Sequence, residues 1–390
     1  MDCSRVGFRV VRHPSNSHRA QVSAAWGTGA NRKSHASGVF GLYPLCVSRA
    51  SLNWKHCLQK ALTAMNIRFP DRETVRTALS LATRAPSVHN TQPWRWRVGR
   101  ESLHLYADRT RHLPNTDPDG RDLILSCGII LHHCVTALAA LGWQSKVQRL
   151  PNPDDREHLA AIELHRQSPS EVDITLAAAI PRRRTDRRHY SSWEVPANYI
   201  ALMGARAARA GVMLRRIEAL PRLQTIVAQA VWQHATDHDY LAELTRWSGR
   251  YASVAGVPAR STPQSDPTAP LPPRLFAGPA LAQPADTDPA EDNAAVLALG
   301  TKDDTTLARL RAGEATSLIL LSATALGLAS CPVTEPLEIV ETRDAVQVEV
   351  FGTSGFPQML LRVGWAPVNA DLLPVTPRRP LADVVEWFDG

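Results

Sequence analysis

Three short segments of this 390-residue chain carry residue types that could do chemistry. The first, Ala85-Pro-Ser-Val-His-Asn-Thr-Gln-Pro-Trp94, packs five polar side chains between two stiffening prolines, Pro86 and Pro93. Side-chain amides such as those of Asn90 and Gln92 both donate and accept. A rigid polar turn of this kind suits the edge of a planar heterocycle such as a flavin, which presents a donor at N3 beside acceptors at O2, O4 and N5. The same residues also suit an ordinary turn that caps the next element. The second segment, Pro181-Arg-Arg-Arg-Thr-Asp-Arg-Arg-His-Tyr190, holds five arginines in seven residues with Thr185 among them. Guanidinium forks bind phosphate in bidentate fashion and a hydroxyl adds a donor. A solvated charge run or a nucleic-acid site is the alternative. A basic tail rarely sits mid-chain between an apolar helix and an aromatic strand, so a phosphate site is favoured. The third segment, Pro377-Arg-Arg-Pro-Leu381, reads alone as an exposed turn, but with the second it could complete a phosphate clamp.

Other reactive side chains read as structure. His132-His133-Cys134 suggests a metal at first sight, but adjacent helical residues point about 100° apart, so core packing is the better reading. Cys127 and Cys134 lie seven apart on one helical face and serve as apolar filler. The six cysteines show no C-x-x-C pair and no zinc spacing, which fits free thiols in a reducing, cytoplasmic compartment.

At 44% apolar and 21% charged, the composition is that of an ordinary soluble chain. The length suggests two domain-sized units at roughly 150 residues each. The formal charge is +7, but residues 1–64 carry nine Lys/Arg and one acid, so the remainder sums to 7 − 8 = −1. A near-neutral body supplies no broad footprint for nucleic acid. The first 64 residues, rich in Ser, Arg, Gly and Asn, show no sustained period. They read as a disordered basic extension upstream of a start at Met65, with a transit peptide or a nucleic-acid-binding arm as alternatives. No apolar run follows the basic start, which argues against a secretory signal.

The body must position the three segments. After Pro70, Asp71 is a good N-cap, and Val75, Leu79 and Ala82 follow at helical spacing, predicting a helix that stops before Pro86. Trp94–Val98 and Leu103–Tyr106 read as short strands, followed by the polar turn Thr116–Gly120. Leu123–Trp143 is long enough to span a membrane, but the histidines and cysteine in its middle make a buried central helix the better reading. Ala315–Leu328 looks like a second copy. An offset of 185 matches Leu125 with Leu310, Gly128 with Gly313, Ala140 with Ala325, Leu141 with Leu326 and Gly142 with Gly327. An internal duplication would pack the two apolar helices together, as in a fused homodimer. A helical region is expected over about 198–250. Residues 257–290 hold nine prolines and cannot form helix or central strand. A loop that long is a lid or a linker, and Leu275 and Phe276 as apolar anchors favour a lid that docks. The last strand is expected at Met359–Val363.

From about Met65 to its end the chain resembles the nitroreductase family, and within it the Acg-type nitroreductases of mycobacteria. Four motifs carry the resemblance, in the family's order: Asn90-Thr-Gln-Pro-Trp94; Arg183-Arg-Thr-Asp-Arg187; Leu326-Gly-Leu with Pro332-Val-Thr-Glu335; and Gly364-Trp-Ala-Pro367 followed by Arg378. The resemblance implies an α+β, nitroreductase-like fold of two fused half-domains, 65–180 and 181–390, forming a pseudo-dimer in one chain. In a nitroreductase homodimer the phosphate motif and the polar turn of one site come from different subunits. Here each occurs once, which implies one complete site, one FMN per chain and a monomer.

The resemblance also implies the roles. FMN would do the chemistry, taking hydride from NAD(P)H and passing electrons to a nitro group, quinone or similar small-molecule acceptor. Pro86, Ser87, Asn90 and Gln92 would hold the ring, with Asn90 at its N3–O4 edge. Arg183, Thr185, Arg187 and Arg378 would bind phosphate, and Pro332, Thr334 and Glu335 would line the other side of the ring. Glu335 could be an acid, though a backbone-turn partner is the plainer reading. Thr185 departs from the usual serine but keeps its hydroxyl, and Val88 stands where many members have a small hydroxyl residue. The proline-rich insertion resembles the lid of Acg-type proteins, which puts access of NAD(P)H and bulky acceptors in question. Two rival readings remain: storage or sequestration of FMN with little turnover, and nucleic-acid binding through the basic arm and arginine cluster. Neither a membrane nor a nucleic-acid partner is expected.

Overall fold

The structure, a computed structural model, describes residues 69–388 apart from positions 252, 267, 285–287 and 368. The expected basic extension and three of the six cysteines lie outside the described residues.

In chain order the elements are α1 (Arg72–Ala82), β1 (Trp94–Val98), β2 (Ser102–Ala107), α2 (Arg121–Ala140), β3 (Trp143–Arg149), β4 (His158–Arg166), α3 (Glu171–Ala179), α4 (Ala197–Arg209), β5 (Met213–Arg216), α5 (Leu220–Thr236), α6 (His238–Trp247), β6 (Ser248–Arg250), β7 (Val257–Pro258), β8 (Ala295–Thr301), α7 (Thr306–Ala325), β9 (Ala329–Pro332), α8 (Glu335–Glu338), α9 (Val340–Val346), β10 (Phe356–Gly364) and β11 (Val385–Trp387). The fold is α+β. Asp71 caps α1 as expected, its carboxylate accepting from Thr74 N at 2.8 Å.

Two sheets flank a central helix pair. One runs β11-β1-β2-β4-β3 and the other β5-β8-β10-β9. Helix α2 packs on the first sheet, α7 on the second, and the two helices pack on each other. Helix α2 is long and apolar enough to cross a membrane, yet sixteen of its twenty residues are buried within the protein. A helix covered on every side needs no polar face, which explains its all-round apolar surface. Glycines set the approach of α2 to α7. A Cβ on Gly128 would lie 2.1 Å from Leu310 O, and one on Gly313 would lie 2.2 Å from Leu125 O. His132 and His133 do pack in this core, each with Nδ1 on Ser317 Oγ, at 2.7 and 2.8 Å.

Several elements depart from expectation. The region 198–250 is not wholly helical: β5 pairs along the edge of the second sheet with β8. Trp143 opens β3 rather than ending the apolar helix. The terminal strand β11 runs parallel to β1, with Trp96 opposite Val385. The tail of the expected second half therefore completes the sheet of the first. All described residues fall in one compact unit, with no break near position 180. Among its described residues the proline-rich stretch holds β7, an isolated bridge between Pro263 and Leu281, and two 3₁₀ turns, Ala259–Ser261 and Pro289–Glu291.

Candidate functional site

The turn between α1 and β1 is strained. His89, Asn90 and Gln92 have φ of 44°, 54° and 54°. Non-glycine residues in the left-handed region cost of order 1 kcal/mol each, and such strain gathers at functional sites. The surroundings impose it. Ser87 Oγ accepts from Gln92 N at 2.9 Å, and Ser126 Oγ on α2 accepts from Val88 N at 3.1 Å. Asn90 Nδ2 donates to Gly256 O (3.0 Å) and Pro377 O (3.3 Å). Gln92 Nε2 donates to Val254 O (2.9 Å), and its Oε1 accepts from Arg379 N (2.8 Å).

These contacts decide where the sequence-predicted residues stand. A cavity of about 170 Å³ is lined by Pro86, Ser87, Thr185, Arg187, Pro332, Thr334 and Glu335, so seven of the eleven expected residues converge on one space. Asn90 and Gln92 do not line it. Their amides tie the turn to the start of the proline-rich segment and to the C-terminal tail, because those loops present free carbonyls at the turn's back. Asn90 thus turns its Nδ2 to these loops, while its Oδ1 is buried without a hydrogen-bond partner. The neighbouring His89 lines the cavity instead.

The other two expected residues, Arg183 and Arg378, line a small adjoining pocket with Arg84 and Arg184. Thr185 joins the two spaces: it lines the larger one, and its Oγ1 accepts from Arg183 Nη1 at 3.5 Å. Arg183 is 5% exposed, and its Nε, like that of Arg184, has no hydrogen-bond partner. Burial, followed by repulsion from Arg184, Arg187 and Arg84, pushes the Arg183 guanidinium down to about 10. Burial and the other three arginines of this pocket push Arg378 down to about 9. Arg378 donates to Thr83 O and Arg84 O, both at 3.0 Å, at the C-terminal end of α1. Four guanidiniums line this pocket without a carboxylate, a donor set whose chemistry suits an anion.

The five clustered arginines do not act together. Arg188 is paired with Asp186 at 2.9 Å, and Arg182 is exposed. Arg183 and Arg184 belong to the anion pocket, whereas Arg187 points into the large cavity. The single-cluster reading is corrected to this four-way division. Asp186 explains part of it, since an acid inside the run pulls one arginine away.

The proline-rich segment docks over the cavity. Leu271 and Phe276 line it, while Leu275 is half-buried elsewhere, so the expected anchor pair shifts by one member. Arg187 donates to Ser261 O at 3.0 Å and lies 5.0 Å over the Phe276 ring. His189 Nε2 lies 2.9 Å from Asp266 Oδ2. Arg274 meets His89 Nε2 at 2.8 Å and forms an ion pair with Glu338. Glu335 is 3% exposed, and its Oε1 lies 3.1 Å from His234 Nδ1 on α5. This corrects the plain turn-partner reading of Glu335. Sequence reasoning missed His89, Asp122, Arg274 and His234. His89 left a signal as a member of the polar turn, and Arg274 as one charge set among prolines and apolar residues in a docking loop.

No family model matches the chain. It is 67% identical over 328 residues, 84% of this chain and 95% of the other, to the Mycobacterium tuberculosis (H37Rv) protein named "Putative NAD(P)H nitroreductase Rv3131". It is 35% identical over 327 residues, 80% of this chain and 95% of the other, to "Putative NAD(P)H nitroreductase acg" of the same strain. Among solved structures, the FMN-dependent nitroreductase NfnB of Mycobacterium smegmatis in complex with NADPH matches 54% of this chain and 98% of its own, with 19% identity and a TM-score of 0.33.

Proposed function

The chain belongs to the nitroreductase family, within its Acg-type branch, and from that premise we propose that it binds one FMN and works as an NAD(P)H-dependent oxidoreductase on a small-molecule acceptor. The observation that carries the proposal is the pairing of the main cavity with an adjoining four-arginine pocket that holds no acid. The unpartnered Nε groups of Arg183 and Arg184 are the donors a phosphate dianion needs.

In this reading Arg84, Arg183, Arg184 and Arg378 hold the phosphate. Thr185 sits between phosphate and ring. Pro86, Ser87 and Arg187 bound the ring on one side, and Pro332, Thr334 and Glu335 on the other. Asn90 and Gln92 hold the turn in its strained form rather than touching the ring. FMN, when bound, would supply two-electron redox chemistry between NAD(P)H and a nitro group, quinone or similar acceptor. The protein supplies orientation, positive charge at the phosphate and a cover that limits water.

The chain also reads as a fused pseudo-dimer that works as a monomer in the cytoplasm. The contacts of α2 with α7 support the duplication. Gly128 abuts Leu310 and Gly313 abuts Leu125, and both matched pairs differ by 185 (310 − 125 and 313 − 128). Reciprocal contact between matched positions is the mark of a two-fold interface.

The visible spectrum of the purified protein tests the reading. A yellow chromophore bleached by NADPH without oxygen is expected. Colourless protein that takes up no added FMN would overturn it, and a yellow protein inert to NAD(P)H would replace it with storage. In the variant Arg183→Ala, FMN retention should fall about 10- to 100-fold, as expected for the loss of a charged hydrogen bond.

A further inference from the structure

We infer that the cavity floor is a subsite for a small aromatic cation, now filled by the lid's own Arg274 and Phe276. Asp122 on α2 and Glu335 on α8 line that floor, and Glu338 on α8 lies beneath it against Arg274. They are 3%, 3% and 6% exposed. Both oxygens of Asp122, Oε2 of Glu335 and Oε1 of Glu338 accept no hydrogen bond. Arg121 makes an ion-pair contact with Asp122, but not at a hydrogen-bonding angle. Burial pushes the Asp122 and Glu338 carboxyls up, and the guanidiniums beside them, Arg121 and Arg274 on Asp122 and Arg274 on Glu338, act the other way, so their charged form depends on a neighbouring cation.

Part of that compensation comes from the lid. Arg274 forms an ion pair with Glu338, and its Nε lies 3.8 Å from Glu335 Oε2. Burial alone would push this guanidinium down, but Glu338, Tyr240 and Glu335 outweigh it and hold it above the ordinary range. The other nearby guanidiniums, Arg121 and Arg343, stand on α2 and α9. Arg274 alone among these three comes from a segment without helix or strand, and moving that segment would leave the acidic floor short of charge.

Two residues further on, the Phe276 ring lies under Arg187 and 6.3 Å from the His89 ring. The lid therefore offers the cavity a forked cation beside an aromatic ring. A ligand that displaced it would need both features: an aryl group bearing an amidinium, a guanidinium or a protonated amine. A planar fork matches carboxylates better than a compact ammonium, so amidinium and guanidinium compounds lead the class. The inference stands on contacts between lid and floor and needs no flavin.

Benzamidine, with the neutral isostere benzamide as control, is the probe. Equilibrium dialysis of the full chain should show Arg274→Ala binding benzamidine at least about tenfold tighter than the parent, a difference of about 1.4 kcal/mol. Benzamide should not bind, and adding Glu338→Gln should remove the gain. Flavin content, read from the visible spectrum of each sample, keeps this outcome separate from the proposed function. Should Arg274→Ala not fold, the parent decides by hydrogen exchange. Benzamidine, unlike benzamide, should speed deuterium uptake in the lid peptide spanning 259–276. Equal binding of the two probes by Arg274→Ala, a gain that survives Glu338→Gln, or a lid whose exchange ignores benzamidine would each overturn the inference.

Discussion

Arg183 and Arg274 are both largely buried arginines, the first lining the small pocket and the second the large cavity, and they sit in opposite fields. Arg183 stands among other guanidiniums and is pushed down to about 10 by burial and their repulsion. Arg274 stands among Glu335, Glu338 and Asp122, and is held above its ordinary range despite burial. One is a cation among cations, and the other is a cation paired with buried acids. The chain between β6 and β8 supplies the second, whereas α3 and the turn after it supply the first. Buried charge alone therefore does not mark a receptor; the sign of the surrounding field does.

The same substitution at the two positions should have opposite effects. Arg274→Met removes the partner of Glu338 and should lower stability by about 3–5 kcal/mol, the range for breaking a buried pair. Arg183→Met removes a buried cation with no counter-ion. In flavin-free protein it should raise stability by about 1–2 kcal/mol, because the desolvation cost disappears without a lost pair. Urea melts of both variants beside the parent check this. If the two variants shift in the same direction, the two environments are not the opposites described.

Inorganic phosphate sharpens the contrast. At about ten times its Kd it should stabilise flavin-free parent by about 1.4 kcal/mol, by linkage to the folded state. It should leave Arg183→Met much less changed. A rise of the same size in both would remove the anion pocket from the argument.

Local pattern made much of this molecule legible in its sequence. Asp71 with its helical spacing located α1, and the 185-residue offset located the helix pair. Elements defined by distant partners were not legible. Strand β5 is four residues between helical stretches, and only its pairing with β8 makes it a strand. Strand β11 is three residues whose partner lies almost 300 positions away. The site divides the same way. The turn, the arginine run and the Pro332–Glu335 stretch could be read as polar groups that meet. The aim of Asn90 could not, because it is set by the carbonyls of Gly256 and Pro377, 166 and 287 residues away. Arg274 looked like any charge in a loop until Glu338 was found beneath it.

The smallest expected effect concerns His89, which Arg274 touches. Its Nε2 faces a guanidinium, which can only donate, so the ring must be neutral with its proton on Nδ1. Burial, then Arg274 and Arg187, hold it well below the usual 6.5. As pH falls, the unfolded chain takes up this proton first, so the stability tied to neutral His89 is present above about 6.5 and lost below it. Between pH 7 and pH 6 that loss is about 0.7 kcal/mol for one such histidine. His89→Asn should flatten the parent's acid limb by about this amount, measured by urea melts at the two pH values. His133, also buried and held low, is untouched by the change and should keep the rest of the slope. An unchanged slope in His89→Asn would mean the folded ring takes up its proton as readily as the unfolded chain does. Arg274 could not then stand 2.8 Å from it, and the lid's hold on the acidic floor would have to be drawn differently.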